Sequence, residues 1–130
     1  MGFRVIRPED AVWEDRPNQE GQLRRAADVT AAGELTQSRA RIWRYPPHTR
    51  GRRHADHGQE EIFVVLEGTL TMLLGDPPER VDLPPQGVVT VSRGTALQMR
   101  NESDDEVVVF AYGAPPVTGQ AEFLDDVPQL

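Results

Sequence analysis

Apolar positions in this chain recur at a spacing of two, in short runs broken by proline and glycine, a rhythm that belongs to strands. In SRARIWRY (38–45), Ala40, Ile42 and Arg44 fall on one face and Arg41, Trp43 and Tyr45 on the other, as in a half-buried strand; Pro46 and Pro47 end it. EIFVVLEG (61–68) and TLTMLLG (69–75) are two apolar runs meeting at Glu67 and Gly68, a junction that predicts a hairpin. Asp76 to Glu79 reads as a turn, Arg80 to Leu83 as a short strand, and Pro84 to Gly87 as a second turn. VVTVS (88–92), TALQMRN (95–101) and EVVVFAYG (106–113) continue the series, separated by Arg93-Gly94 and by the acidic turn ESDD.

About seven or eight short strands with no long helical period between them predict an all-β sandwich or barrel. IFVVL and VVVFAY are apolar on both parities, so both faces are expected to be covered, one by a second sheet and one by a partner, which predicts a homodimer. The flanks are weaker. Residues 1–37 carry only scattered anchors (Phe3, Val5, Ile6, Trp13, Leu23, Leu35), and the C-terminal end is a Pro-rich strap anchored by Phe123 and Leu124. The expected organisation is one domain: an N-terminal segment over 1–37 packing on the barrel, the barrel over 38–115, and the strap over 116–130.

Composition narrows the chemistry. A chain of 130 residues with 38% hydrophobic content can bury a real core. No run approaches the ~18 apolar residues of a membrane span, and the N-terminus meets acidic residues before a signal-like core develops, so a soluble, cytoplasmic protein with no membrane partner is expected. The absence of cysteine excludes disulfides, thiolate metal sites and a cysteine nucleophile. A net charge of -7 argues against a nucleic-acid partner. All fourteen basic residues are arginine, which removes Schiff-base chemistry by lysine. Arg50, Arg52 and Arg53 cluster, either drawing a small anionic ligand such as a carboxylate or pairing with nearby acids.

The candidate chemistry lies in RRHADHGQEEIFVVLEG (52–68). His57 and Glu61 are four apart, and equal strand parity would let both face one side, where an imidazole and a carboxylate could bind Fe, Mn, Ni or Zn with His54, His48 or a side chain from another strand as a further ligand. Exposed loop histidines are the plainer alternative. Glu60 and Glu61 are adjacent and point to opposite faces, so they cannot work as an acid/base pair.

This stretch resembles the first motif of the cupin superfamily, G-x5-H-x-H-x3/4-E-x6-G, with Glu61 and Gly68 fitting its E-x6-G ending. GVVTVSRGTALQMRN (87–101) resembles the second motif, G-x5-P-x-G-x2-H-x3-N, with Gly94 and Asn101 in register. The resemblance covers about residues 38–115 and implies a double-stranded β-helix, or jelly-roll barrel. It also implies where metal ligands would stand. With three residues before Glu61, His57 is the second histidine and Ala55 occupies the first position; with four, His54 is the first and Asp56 occupies the second. Leu97 stands at the third histidine position and Ser92 at the proline position. Neither register keeps both histidines: what remains is one histidine, or a histidine and an aspartate, plus Glu61. A three-ligand face of His54, Asp56 or His57, and Glu61 would be similar to a two-histidine, one-carboxylate arrangement if His54 and His57 converge. The cofactor expectation is therefore none or a single divalent transition metal.

The resemblance implies a pocket lined by His54, His57, Glu61, Phe63, Leu97 and Met99, with Trp43 or Arg41 contributing by parity, and Asn101 at its polar corner. Burial in such a barrel would raise the pKa of Glu61. Three functions fit: a barrel binding a small molecule with its metal site degenerate, a metal-dependent oxygenase or isomerase acting on a small organic acid or sugar-derived substrate, and a metal-free isomerase using Glu61 and His57 as its catalytic pair.

Overall fold

The computed structural model describes residues 2–116 and 121–127. In chain order its strands are β1 (Trp13–Pro17), β2 (Leu23–Asp28), β3 (Arg39–Tyr45), β4 (Thr49–Arg50), β5 (His54–Ala55), β6 (Glu60–Glu67), β7 (Leu70–Leu74), β8 (Glu79–Leu83), β9 (Val88–Val91), β10 (Ala96–Asn101), β11 (Val107–Ala114) and β12 (Glu122–Phe123). One short helix, α1 (Val29–Ala32), links β2 to β3, and a single 3-10 turn lies at Pro8–Asp10. No helix among the described residues is long and apolar enough to cross a membrane.

The strands form two antiparallel sheets. The first runs β1-β2-β3-β11-β6-β9; the second runs β12-β5-β10-β7-β8, with β4 also paired to β10. Alternation along the strands sends one set of side chains between the sheets: Phe63 and Val65 from β6, Leu70 and Met72 from β7, Leu97 and Met99 from β10, Val107 and Val109 from β11. Full burial stabilises each large side chain by about 1.5–3 kcal/mol, and this cluster holds the sheets face to face. The architecture is the all-β double-stranded β-helix that the motifs and the strand spacing point to.

One expectation changes and another is extended. The junction at Glu67 and Gly68 is not a hairpin: β6 belongs to the first sheet and β7 to the second, so the chain turns a corner between them. Gly68 has φ +76°, and a Cβ there would lie 2.5 Å from the Glu106 carbonyl oxygen, so the corner admits only glycine. The N-terminal segment contains two strands, β1 and β2, which extend the first sheet beyond β3. On the outer side of β6, Ile62 and Leu66 are exposed in the single chain.

Asn101, expected at a corner of the pocket, is a buried structural clip. Its amide donates to the carbonyls of Tyr45, Pro46 and Asp105, tying β10 to the end of β3 and to the turn before β11. Of the strap, β12 pairs with β5, Leu124 donates its N–H to the Arg53 carbonyl (2.9 Å), and Asp126 accepts from Gln98 (3.1 Å) and pairs with Arg50 (2.9 Å). The chain thereby passes from the rim of the barrel onto the outer side of the second sheet. Residues 117–120 and 128–130 of the expected strap lie outside the described residues.

Candidate functional site

A cavity of about 430 Å³ opens between the sheets at the end of the barrel where β3, β5, β6 and β11 converge. Two rungs of the first sheet explain why space exists there. Arg39 on β3 faces Gly113 on β11, which faces Glu61 on β6; one step deeper, Arg41 faces Ala111, which faces Phe63. In each rung the middle residue is small, so the large side chains on either side flank a gap instead of meeting across it. The Gln59 side chain packs against Gly113, where an added Cβ would lie 2.6 Å from its amide carbon, and it donates to the Pro115 carbonyl (3.0 Å).

One wall is strongly cationic. Arg24, Arg39, Arg41 and Arg52 all line the cavity. Arg24 lies over the rings of Trp43 (4.9 Å) and Tyr45 (5.3 Å) and donates to the Tyr45 hydroxyl (2.9 Å). Tyr45 is 2% exposed; burial raises its pKa against the opposing pull of Arg24, so the phenol is neutral and keeps a proton to donate. Arg52 covers the Phe123 ring at 3.9 Å, joining β12 to the rim.

Arg39 and Arg41 have no ion-pair or hydrogen-bond partner among the described residues. Burial lowers the pKa of Arg41 first, and the positive charges of Arg16 and Arg39 lower it further, against smaller pulls from Asp28 and Glu14. The wall therefore holds more positive charge than its own acids neutralise.

Glu61 stands on β6 across Gly113 from Arg39 and has no hydrogen-bond partner among the described residues. Its pKa is pushed up to about 7, by burial first and by the Asp56 charge second, with Arg39 opposing both. Near neutral pH this carboxyl can therefore both give and take a proton.

The sequence-derived residues divide. Glu61, His54, Phe63, Met99, Trp43 and Arg41 all line the cavity. His57 does not: its side chain is 62% exposed and its Nε2 lies 2.8 Å from a Glu122 carboxylate oxygen on β12. The spacing misled because Asp56 accepts the Gly58 N–H, and this local turn breaks the strand parity between His57 and Glu61. Leu97 is also absent from the lining; it is 1% exposed in the core, paired with His54 on one side and Leu74 on the other. The Arg50–Arg53 cluster scatters. Arg50 pairs with Glu20 and Asp126, and Arg53 is buried beside Asp76 and the Asp125 carbonyl, leaving Arg52 alone facing the cavity.

Arg24, Arg39, Tyr45, Gln59 and Phe123 line the cavity without having been singled out from the sequence, whereas Arg52 belongs to the arginine cluster that the sequence does single out for an anion. Arg39 and Tyr45 had a signal, since each lies at even spacing from Arg41 on one strand.

A metal ion does not fit this donor set. His57 turns outward to Glu122, and although His54, donating Nδ1–H to the Arg52 carbonyl (2.9 Å), has Nε2 uncommitted, no three His, Cys, Asp or Glu side chains among the described residues are grouped so as to hold a metal. The three-ligand face of His54, His57 and Glu61 expected from sequence is not assembled.

Comparison with known proteins agrees with the architecture. The cupin domain family matches residues 41–112. The fold is similar to the crystal structure of a predicted oxalate decarboxylase from Thermotoga maritima, at 18% identity and a TM-score of 0.76 over 87% of this chain and 100% of that one. A sugar phosphate isomerase from Silicibacter pomeroyi matches at 18% identity and 0.72 over 87% and 76% of the two chains, and KdgF from a Halomonas species at 14% and 0.70 over 87% and 94%. At these identities the likeness carries the fold alone. No curated protein matches the sequence.

Proposed function

Because this chain belongs to the cupin domain family, a fold that carries many unrelated activities, we propose that its barrel binds a small organic anion against Arg39 and Arg41, with Glu61 as a proton-exchanging carboxyl opposite them. The observation that carries this reading is the pair of guanidiniums, two residues apart on β3, both facing the cavity and neither paired with a carboxylate. Two partly buried cations that repel one another are a standing cost, and a bound carboxylate or phosphate offsets it with bidentate hydrogen bonds. Glu61 supports proton transfer to or from such a ligand. The Tyr45 hydroxyl, whose oxygen already accepts from Arg24, adds a neutral donor at the same cavity.

The reading of a metal-free isomerase survives in altered form, with Glu61 but without His57, which has its own partner outside the cavity. A metal-dependent oxygenase or isomerase is less well supported, since the side chains grouped at the cavity do not form a metal-binding set among the described residues.

Calorimetric titration with small carboxylates and phosphates tests the proposal. Binding of at least one class is expected. Arg41→Gln should weaken it about 10- to 100-fold, the equivalent of about 1.5–3 kcal/mol for hydrogen bonds to a charged group, while the unfolding temperature stays within a few degrees. Equal affinity in the variant would sink the proposal.

A further inference from the structure

We infer that the cavity selects a carboxylate with an apolar, hydroxyl-poor body over a polyhydroxylated, sugar-derived acid. This rests on the anion-binding reading above and adds the class of ligand. Arg39 and Arg41 each present a fork of N–H donors and no acceptor, and the Tyr45 hydroxyl adds a donor. These suit a ligand end made only of acceptors, as a carboxylate is.

Acceptors are few and sit together. One Asp56 oxygen accepts the Gly58 N–H, and His54 Nδ1 is committed to the Arg52 carbonyl. Glu61, the second Asp56 oxygen, the Gln59 amide oxygen and His54 Nε2 are left, all on the stretch from residue 54 to 61. Glu61 is a full acceptor only when ionised.

Every hydroxyl of a sugar acid brings a proton that needs an acceptor once water is excluded, and an unmet one carries the desolvation cost of a buried polar group. Away from Glu61, the lining offers hydrocarbon and ring surface instead, from Trp43, Phe63, Met99, Ala111 and Phe123. The two small residues that open the cavity, Ala111 and Gly113, contribute no side-chain polar atom at all. A body of aromatic or branched aliphatic carbon satisfies that surface, where a chain of hydroxyls leaves donors unpaired.

The test is a panel titrated into the wild-type protein: the monoanions phenylacetate and 4-methyl-2-oxopentanoate against gluconate, which matches them in charge, and ribose 5-phosphate, which carries about two charges at neutral pH. At least one of the two apolar carboxylates is expected to bind about tenfold or more tightly than either hydroxylated anion, within the range by which unpaired polar groups separate related ligands. Gluconate or ribose 5-phosphate binding as tightly as the apolar acids, or more so, overturns this inference and leaves the anion proposal standing. Failure of all four to bind overturns both.

Discussion

Glu61 keeps a proton that an exposed glutamate would release, and this has two measurable consequences. Its folded-state pKa of about 7 lies above the ordinary 4.5, so the native state holds the proton more tightly than the unfolded chain does. The stability this contributes is complete below about 4.5 and is lost as pH rises through about 7. Glu61→Gln removes the titration: the variant should gain on the wild type between pH 5 and pH 8 by about 1–2 kcal/mol after allowance for solvent access, as read by denaturant unfolding at each pH. Ligand binding carries the same sign. Ionisation of Glu61 adds a negative charge facing the bound anion, so affinity should fall as pH rises through about 7 in the wild type and stay flat in the Gln variant. A wild-type affinity independent of pH would mean that Glu61 does not face the ligand.

At the scale of elements, the corner between β6 and β7 is the sharpest sequence requirement in the barrel. Gly68→Ala forces a side chain into positive φ and against the Glu106 carbonyl, and should cost about 2–4 kcal/mol in urea unfolding. The longer strands from 38 to 113 were legible because apolar alternation and Pro/Gly turns agreed with one another, whereas β4 and β5, at two residues each, carry no period to read. β1 and β2 were not legible either, for a physical reason: Arg24 on β2 lines the cavity and its cross-strand partner on β1 is Arg16, so charged residues stand where a core strand would carry apolar ones and the alternation that reveals a strand is missing. The hairpin reading failed because Glu-Gly between two apolar runs looks the same whether the chain returns to its own sheet or crosses to the other. β12, at two residues, is too short to carry any period.

Across the whole molecule, the three histidines are dispersed. His48 lies 2.7 Å from Asp104, His57 lies 2.8 Å from Glu122, and only His54 faces the cavity. Treatment with a chelator is expected to leave both unfolding temperature and anion affinity unchanged; a clear fall in either would show that a metal is held by an arrangement other than the one described. The charge distribution is similarly divided, since a chain of net charge -7 directs four of its arginines into one cavity. Long-range attraction of anions to such an acidic molecule is poor and is screened over ~8 Å at physiological salt, so recognition must come from contacts inside the barrel. The two tryptophans divide between the faces of the first sheet: Trp43 lines the cavity beneath Arg24, whereas Trp13 lies under Arg44 on the opposite face. The barrel thus carries its own optical reporter. With Trp13 replaced by Phe, the remaining indole emission would come from the cavity wall alone, and occupancy could be followed by fluorescence in real time with no attached dye.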